Sequence, residues 1–265
     1  MAQLYPKISI ITPSYNQAKF LDEAVKSVID QNYPNFEHIV VDNCSTDGTI
    51  DILKRYPHLI WTSEPDKGQT DALNKGFKKT TGDFIGWLNA DDRYLSGCFY
   101  SIVKVLKEHP NFDVVYGDFR WVDQKGHLIK LRHEIDFDLF ILKYLHVTYI
   151  PSTATFFRRG IIKEESLLNP EYEYGQDYEL FLRIALKGHR FIHVRSFLAD
   201  FRMHPDNKTA LYRDRQIADN DKILLLYDKV MRRMYQPIRP AIRALFMLLA
   251  RAKRASLKTI DWLRR

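Results

Sequence analysis

Asp91 and Asp92 stand side by side directly after the apolar run Asp83-Phe-Ile-Gly-Trp-Leu88. Two adjacent carboxylates at the end of a buried strand repel each other. A hard divalent cation such as Mg²⁺ or Mn²⁺ relieves that repulsion, because it prefers oxygen ligands. The pair is a candidate metal site, and taken alone it also fits a solvated turn. Three more polar segments interrupt the apolar runs upstream. Thr12-Pro-Ser-Tyr-Asn16 offers the Tyr15 ring, for stacking on a base or for covering a core edge. Asp42-Asn-Cys-Ser-Thr-Asp-Gly48 offers Asp42, able to accept two hydrogen bonds from a base or ribose, among residues that also suit a turn and a helix cap. Glu64-Pro-Asp-Lys-Gly-Gln-Thr-Asp71 holds Lys67, which either approaches a phosphate or is simply solvated.

These four segments need a scaffold that gathers them. Residues 7–12, 36–41, 59–62 and 83–88 read as strands, and 20–29, 47–55 and 69–79 as helices by their apolar spacing, the second capped by Thr46 or Asp47. Strands separated by helices of this length imply parallel βαβ units with right-handed crossovers. Such sheets bind ligands at the carboxyl ends of their strands, where strand order reverses. The second half is less regular. Residues 114–117, 119–122, 128–131 and 153–157 read as strands, with a turn at Gln124-Lys-Gly126. A helix over 178–186 ends at Gly188, 191–201 is extended, and the chain beyond Asn207 is helical with a break at Pro237 and Pro240.

The net charge of +7 belongs to one end of the chain: residues 229–265 hold eleven Lys or Arg against a single acid, Asp261. The rest is slightly acidic, which argues against nucleic acid as a partner of the main domain. Cys44 and Cys98 form neither a disulfide framework nor a zinc spacing, so a reducing, cytoplasmic setting is expected. No signal-peptide pattern precedes the first strand, and no apolar run is long enough to span a bilayer. In the basic segment 236–265, Ile238, Ile242, Leu245, Leu249, Ile260 and Leu263 fall on one helical face. Arg239, Arg243, Arg251, Arg254, Lys258 and Arg265 fall on the other. Such a helix lies on an anionic membrane surface, at the inner face of the membrane, or packs on protein.

In combination, several motifs resemble the family 2 glycosyltransferases of the GT-A fold. They are Pro6-Lys-Ile-Ser-Ile-Ile-Thr-Pro-Ser-Tyr-Asn16, Val41-Asp-Asn-Cys-Ser-Thr-Asp-Gly-Thr49, Ser63-Glu-Pro-Asp-Lys-Gly68, Asp71-Ala-Leu-Asn-Lys-Gly76, Gly82-Asp83 and Leu88-Asn-Ala-Asp-Asp92. Further on, Ala154-Thr-Phe-Phe-Arg-Arg159, Gly175-Gln-Asp-Tyr-Glu-Leu-Phe-Leu-Arg183 and Phe201-Arg-Met-His204 look like the acceptor half of that family. The resemblance implies an α/β GT-A fold, with a Rossmann-like, mostly parallel sheet flanked by helices and a C-terminal helical extension. The chain then divides into a glycosyltransferase domain over 1–209, with a nucleotide-sugar-binding half (1–95) and an acceptor and catalytic half (96–209), and a basic helical extension over 210–265.

The resemblance also implies an activity: inverting, metal-dependent transfer of a sugar from a UDP- or GDP-linked donor to a hydroxyl of a glycan or lipid-linked acceptor, as in cell-surface polysaccharide or lipopolysaccharide synthesis. The matched positions give donor-binding residues Thr12, Pro13, Ser14, Tyr15, Asp42, Asn43, Lys67, Gly68, Asp71, Asn74, Asn89 and Asp91. They give Asp92, Asp91 and His204 as the metal site for Mn²⁺ or Mg²⁺, with Asp92 the first ligand. They give Asp177 as the base that takes the acceptor proton, kept ionised by a helix N-terminus, with Glu179 facing outward or supporting the loop. Two positions depart from the pattern. Asn43 stands where many members carry a second acid, which moves a base contact to Asp42 or to the Asn43 amide. Asn89 stands where members commonly carry Asp, which removes one charge near the metal. The competing readings are a non-catalytic nucleotide- or glycan-binding module on the same fold, and a nucleotidyltransferase. The latter calls for a glycine-rich basic loop after the first strand, and Thr12-Pro-Ser-Tyr-Asn16 is neither.

Overall fold

The computed structural model describes residues 5–145, 148–164, 168–234 and 236–264. The N-terminal half alternates as its spacing predicts: β1 (Ile8–Ser14), α1 (Leu21–Ile29), β2 (Phe36–Asp42), α2 (Thr49–Lys54), β3 (Leu59–Ser63), α3 (Gln69–Lys79) and β4 (Phe84–Trp87). β1 runs past its expected end and through Pro13. The Ile11 carbonyl accepts the Leu88 N–H, so odd-numbered residues of β1 face β4. β4 pairs only with Ile8 to Ile11, and Pro13, lacking an N–H, lies beyond it where no ladder bond is lost. α2 begins after Gly48, whose φ of 96° suits only glycine. The Asp47 carboxylate accepts the Thr49 N–H (3.1 Å) and hydroxyl (2.6 Å).

The second half contains β5 (Arg93–Tyr94), α4 (Cys98–Glu108), β6 (Val114–Val122), β7 (Leu128–Arg132), α5 (Leu139–Tyr144), β8 (Thr155–Arg158), α6 (Arg159–Glu164), α7 (Gln176–Leu186), β9 (Phe191–Arg202), α8 (Lys208–Leu211), α9 (Arg213–Tyr227), α10 (Lys229–Arg233) and α11 (Arg239–Arg264). The two strands expected over 114–122 are one, with its register against β9 shifting around Gly117 and Asp118.

The nine strands among the described residues form one sheet in the order β3-β2-β1-β4-β8-β6-β9-β5, with β7 paired to β6. The sheet is mixed rather than mostly parallel. β3, β2, β1 and β4 run parallel, as do β6 and β9, while β8 enters between β4 and β6 antiparallel to both. Strand order reverses between β1 and β4, so the crevice beyond their carboxyl ends is the expected ligand site. Alternation along β1 fills both layers. Ile8 and Ile10 join Ala24, Val28, Phe99 and Ile102 from α1 and α4, whereas Ile11 joins Leu73, Phe77 and Phe181 from α3 and α7. Gly76 lets α3 lie close on β1, since a Cβ there would meet the Ile11 Cγ2 at 2.3 Å.

The last helix packs on the domain, and with the face opposite to the one its sequence suggests. Phe246 of α11 meets Tyr144 (4.8 Å between centroids) and Phe140 (6.0 Å), and Ala250 is fully buried. Arg254 pairs with the buried Glu134, Arg243 with Asp221, and Lys258 donates to the His133 carbonyl (2.6 Å). Three residues of the expected basic outer face therefore point inward, because the buried Glu134, the partly exposed Asp221 and the His133 carbonyl meet them. Leu245, Leu249 and Ile260 stay exposed, with Leu248 and, at 74%, Trp262. The Leu263 side chain and Arg265 lie outside the described residues. Among the described residues no helix is long and apolar enough to cross a membrane.

Candidate active site

A cavity of about 540 Å³ opens beyond the carboxyl ends of β1, β2 and β4, between them and the start of α7 and the segment after β9. Several expected residues line it: Pro13, Ser14, Tyr15, Asn43, Gly68, Asn89, Asp91, Asp177 and His204. Tyr15 is 59% exposed, a ring open to stacking. The Ser14 hydroxyl is buried without a hydrogen-bond partner among the described residues. The Asn43 side-chain oxygen accepts the Asp66 N–H (2.9 Å) and so ties the end of β2 to the β3–α3 loop. Burial holds the Asp66 carboxyl above its ordinary value.

Other expected residues do not line the cavity. Thr12 is fully buried against His38 (2.9 Å). Asp42 is fully buried, its carboxylate taken up by Ser45 and Ser63. Lys67 points to solvent. Asp71 accepts the Lys67 backbone N–H (3.1 Å). Asn74 bonds the Leu168 backbone with both ends of its amide, at 2.9 Å each. Asp42, Asp71 and Asn74 thus shape the loops, while Asn43, Gly68 and Asn89 face the cleft.

The two adjacent carboxylates have separate environments. Asp92 is 2% exposed and accepts from Asn89 Nδ2 (3.1 Å), the Thr153 hydroxyl (2.6 Å) and the Arg202 N–H (2.9 Å). Burial, with the charge of Asp91 beside it, holds its carboxyl well above the usual carboxylate range. Asp91 faces the cavity, and its Oδ2 lies 3.0 Å from His204 Nε2. The His204 ring stacks at a tilt on Phe20, 4.9 Å away, and its buried Nδ1 has no hydrogen-bond partner among the described residues. Asn89 bridges the two sides of the site, donating to Asp92 and accepting from Gln69 Nε2 (2.9 Å).

Asp91 and His204 set a carboxylate and an imidazole side by side on the cavity wall. Among the described residues no three His, Cys, Asp or Glu side chains converge. That set fits a hard cation of the Mg²⁺ or Mn²⁺ kind, which takes one or two protein ligands and completes its shell with phosphate oxygens and water.

Asp177 is the second residue of α7 and lines the cavity, its Oδ1 accepting the Tyr178 N–H (2.8 Å). Burial outweighs that bond and the helix terminus, and its carboxyl is pushed up to about 6. The carboxyl is therefore poised near neutrality rather than held firmly ionised, and this corrects the helix-dipole expectation. Gln176 beside it accepts the Thr70 hydroxyl (2.6 Å), which ties the start of α7 to α3. Glu179 is buried, not outward, and bonds Arg183 (2.8 Å) and the Tyr227 hydroxyl (2.5 Å). Sequence reasoning missed Gln69, Asp66, Glu173, Tyr174 and Lys208, all of which line the cleft. Gln69 and Asp66 flank Lys67 and Gly68, so the segment was found and the facing residues were not.

The chain belongs to a family of sugar-transferring enzymes: residues 9–165, more than half of the chain, match the family model described as glycosyl transferase family 2. Asp177 and His204 lie beyond that segment. A relative in Bacillus subtilis, TuaG, whose name assigns it provisionally to teichuronic acid biosynthesis, is 39% identical over 100 residues, 36% of this chain and 39% of the relative. The chain thus spans well under two-thirds of that relative's length. Two solved structures share the fold. S. aureus TarS in complex with UDP-GlcNAc has a TM-score of 0.69 at 20% identity, covering 91% of this chain and 71% of that one. The mannosyltransferase PcManGT from Pyrobaculum calidifontis, in complex with GDP-Man and Mn²⁺, has a TM-score of 0.65 at 20% identity, covering 94% and 74%.

Proposed function

We propose that the protein is a metal-dependent, inverting glycosyltransferase that moves a sugar from a UDP- or GDP-linked donor to a hydroxyl of a cell-envelope glycan or its lipid-linked precursor. The observation that carries the proposal is one cleft holding both the Asp91–His204 pair and a half-buried carboxylate, Asp177. The donor's base lies on Tyr15, near Ser14 and Asn43. Asp91 and His204 would hold a divalent cation, and Asp92 supports the turn from behind. Bound there, a divalent cation would neutralise charge on the diphosphate leaving group. Asp177 accepts the proton of the acceptor hydroxyl as that oxygen attacks the anomeric carbon from the side opposite the leaving group. One displacement inverts the anomeric configuration. A carboxyl poised near 6 is mostly ionised at neutral pH and still basic enough for this step.

The test is direct incubation with UDP- and GDP-sugars, Mn²⁺ and candidate acceptors, with the product's anomeric configuration read by NMR. Inverted product supports the proposal, and retained configuration removes Asp177 from the role of base. The exposed Leu245, Leu248, Leu249 and Trp262 of α11, beside the exposed Arg251, supply a surface for an anionic membrane carrying the acceptor. Sedimentation with anionic liposomes tests this, and a protein that stays in the supernatant with or without salt refutes it.

A further inference from the structure

A diphosphate brings at least two negative charges, yet the cleft is acidic. Among the described residues five carboxylates line it, those of Asp66, Asp91, Glu173, Asp177 and Asp206, and the lining holds no arginine and one lysine, Lys208. Lys67, the sequence's candidate for phosphate, points to solvent. A cation held by Asp91 and His204 would offset part of this repulsion, and Lys208 stands four residues beyond His204. Its ammonium is paired with Glu173 Oε1 at 2.9 Å. Glu173 in turn sits over the donor loop, where a Cβ on Gly68 would come within 3.0 Å of the same Oε1. The pair therefore joins the segment after β9 to the mouth of the donor side.

We propose that Lys208 is a diphosphate-binding residue that Glu173 holds until the donor arrives. On entry of a nucleoside diphosphate the ammonium leaves Glu173 for the phosphates. Both partners are about two-fifths exposed, 42% and 40%, and an ion pair so wetted is weak. The diphosphate as a whole carries at least two negative charges against the single charge of the carboxylate, which favours the exchange. The backbone under Lys208 is fixed: the Asn207 side chain accepts the Thr209 N–H (3.1 Å) and donates to the Arg202 carbonyl (3.0 Å). Only the lysine stem has to swing, along the Tyr174 ring 5.8 Å from its ammonium. The role rests on the donor reading above, and adds to it a cation that does not depend on the metal.

Calorimetric titration of the full chain with UDP and with GDP, each with Mn²⁺, tests it on the wild type and on Lys208→Ala, Lys208→Arg and Glu173→Gln. Loss of a charged hydrogen bond predicts that Lys208→Ala weakens binding by about tenfold or more. Lys208→Arg stays within a few-fold, and Glu173→Gln binds at least as tightly as the wild type because the competing charge is gone. The Lys208→Ala penalty shrinks for UMP and GMP, which lack the second phosphate. Wild-type binding that Lys208→Ala leaves unchanged overturns this inference alone, as does a Glu173→Gln loss equal to that of Lys208→Ala, which marks the pair as structural. Failure of the wild type to bind either diphosphate overturns the donor reading with it.

Discussion

Asp177→Asn should abolish transfer and at the same time stabilise the fold. Burial raises the Asp177 carboxyl from its ordinary 3.8 to about 6. A carboxyl whose folded value is raised holds its proton more tightly when folded, so the wild type loses stability as pH rises from about 4 through 6, and the loss is complete above about 7. At about 1.4 kcal/mol per pH unit the shift corresponds to about 3 kcal/mol. The residue is half-buried, and solvent screening reduces this to about 1–3 kcal/mol. An amide oxygen still accepts the Tyr178 N–H and carries no charge, so the variant escapes the loss. Urea unfolding of both proteins between pH 4 and 8 measures it: the variant's advantage should be near zero at pH 4 and largest at pH 8. Equal advantage at both pH values, or a less stable variant at pH 8, refutes the burial argument. Under the same account wild-type turnover climbs with pH through about 6 as the base ionises.

The two adjacent carboxylates should separate by assay. Asp91→Ala is expected to remove Mn²⁺-dependent nucleotide binding and to cost about 1 kcal/mol in urea unfolding, less than Asp92→Ala, because only the His204 ring loses a partner. Asp92→Ala leaves the Thr153 hydroxyl and the Arg202 N–H unpaired in a buried place and should cost about 2–4 kcal/mol in urea unfolding. Asn89→Asp loses its donor to Asp92 and puts like charges together. It should cost about 1–2 kcal/mol at pH 8, a loss that narrows toward pH 4 as the carboxyls protonate. Arg254→Ala uncovers the buried Glu134 and should cost about 1–3 kcal/mol, with faster amide exchange along α11 in mass spectrometry.

The parallel half of the sheet was legible because its information is local: each strand is an apolar run, each helix an apolar stripe, and the polar segments fall where strands end. The mixed half was not, since the pairing of β8 between β4 and β6 is a matter of long-range register. Within the site, the segments were found but not always the residues facing the cleft. Asp91 and Asp92 sit on a turn, where no periodicity says which carboxylate faces inward, and Thr153 and Arg202, more than 60 residues away, take Asp92. Asp42 and Asn74 carry motif-like polarity but bond the fold itself. The upward shift of the Asp177 carboxyl was not legible because a helix terminus is visible in sequence and burial is not. The face of α11 was misassigned for a similar reason: Glu134 and Asp221, which turn its arginines inward, are remote in the chain.

The most direct test of the central claim, a cation edge at Asp91 that serves a nucleotide-sugar donor, is a thermal-shift screen of UDP- and GDP-sugars with and without Mn²⁺ on the wild type and on Asp91→Ala. A ligand at a hundred times its Kd adds about 2.7 kcal/mol to the native state, a readable rise in Tm. The account predicts a rise when sugar nucleotide and Mn²⁺ are present together, absent from Asp91→Ala. No rise with any donor, or an equal rise in Asp91→Ala without Mn²⁺, contradicts it.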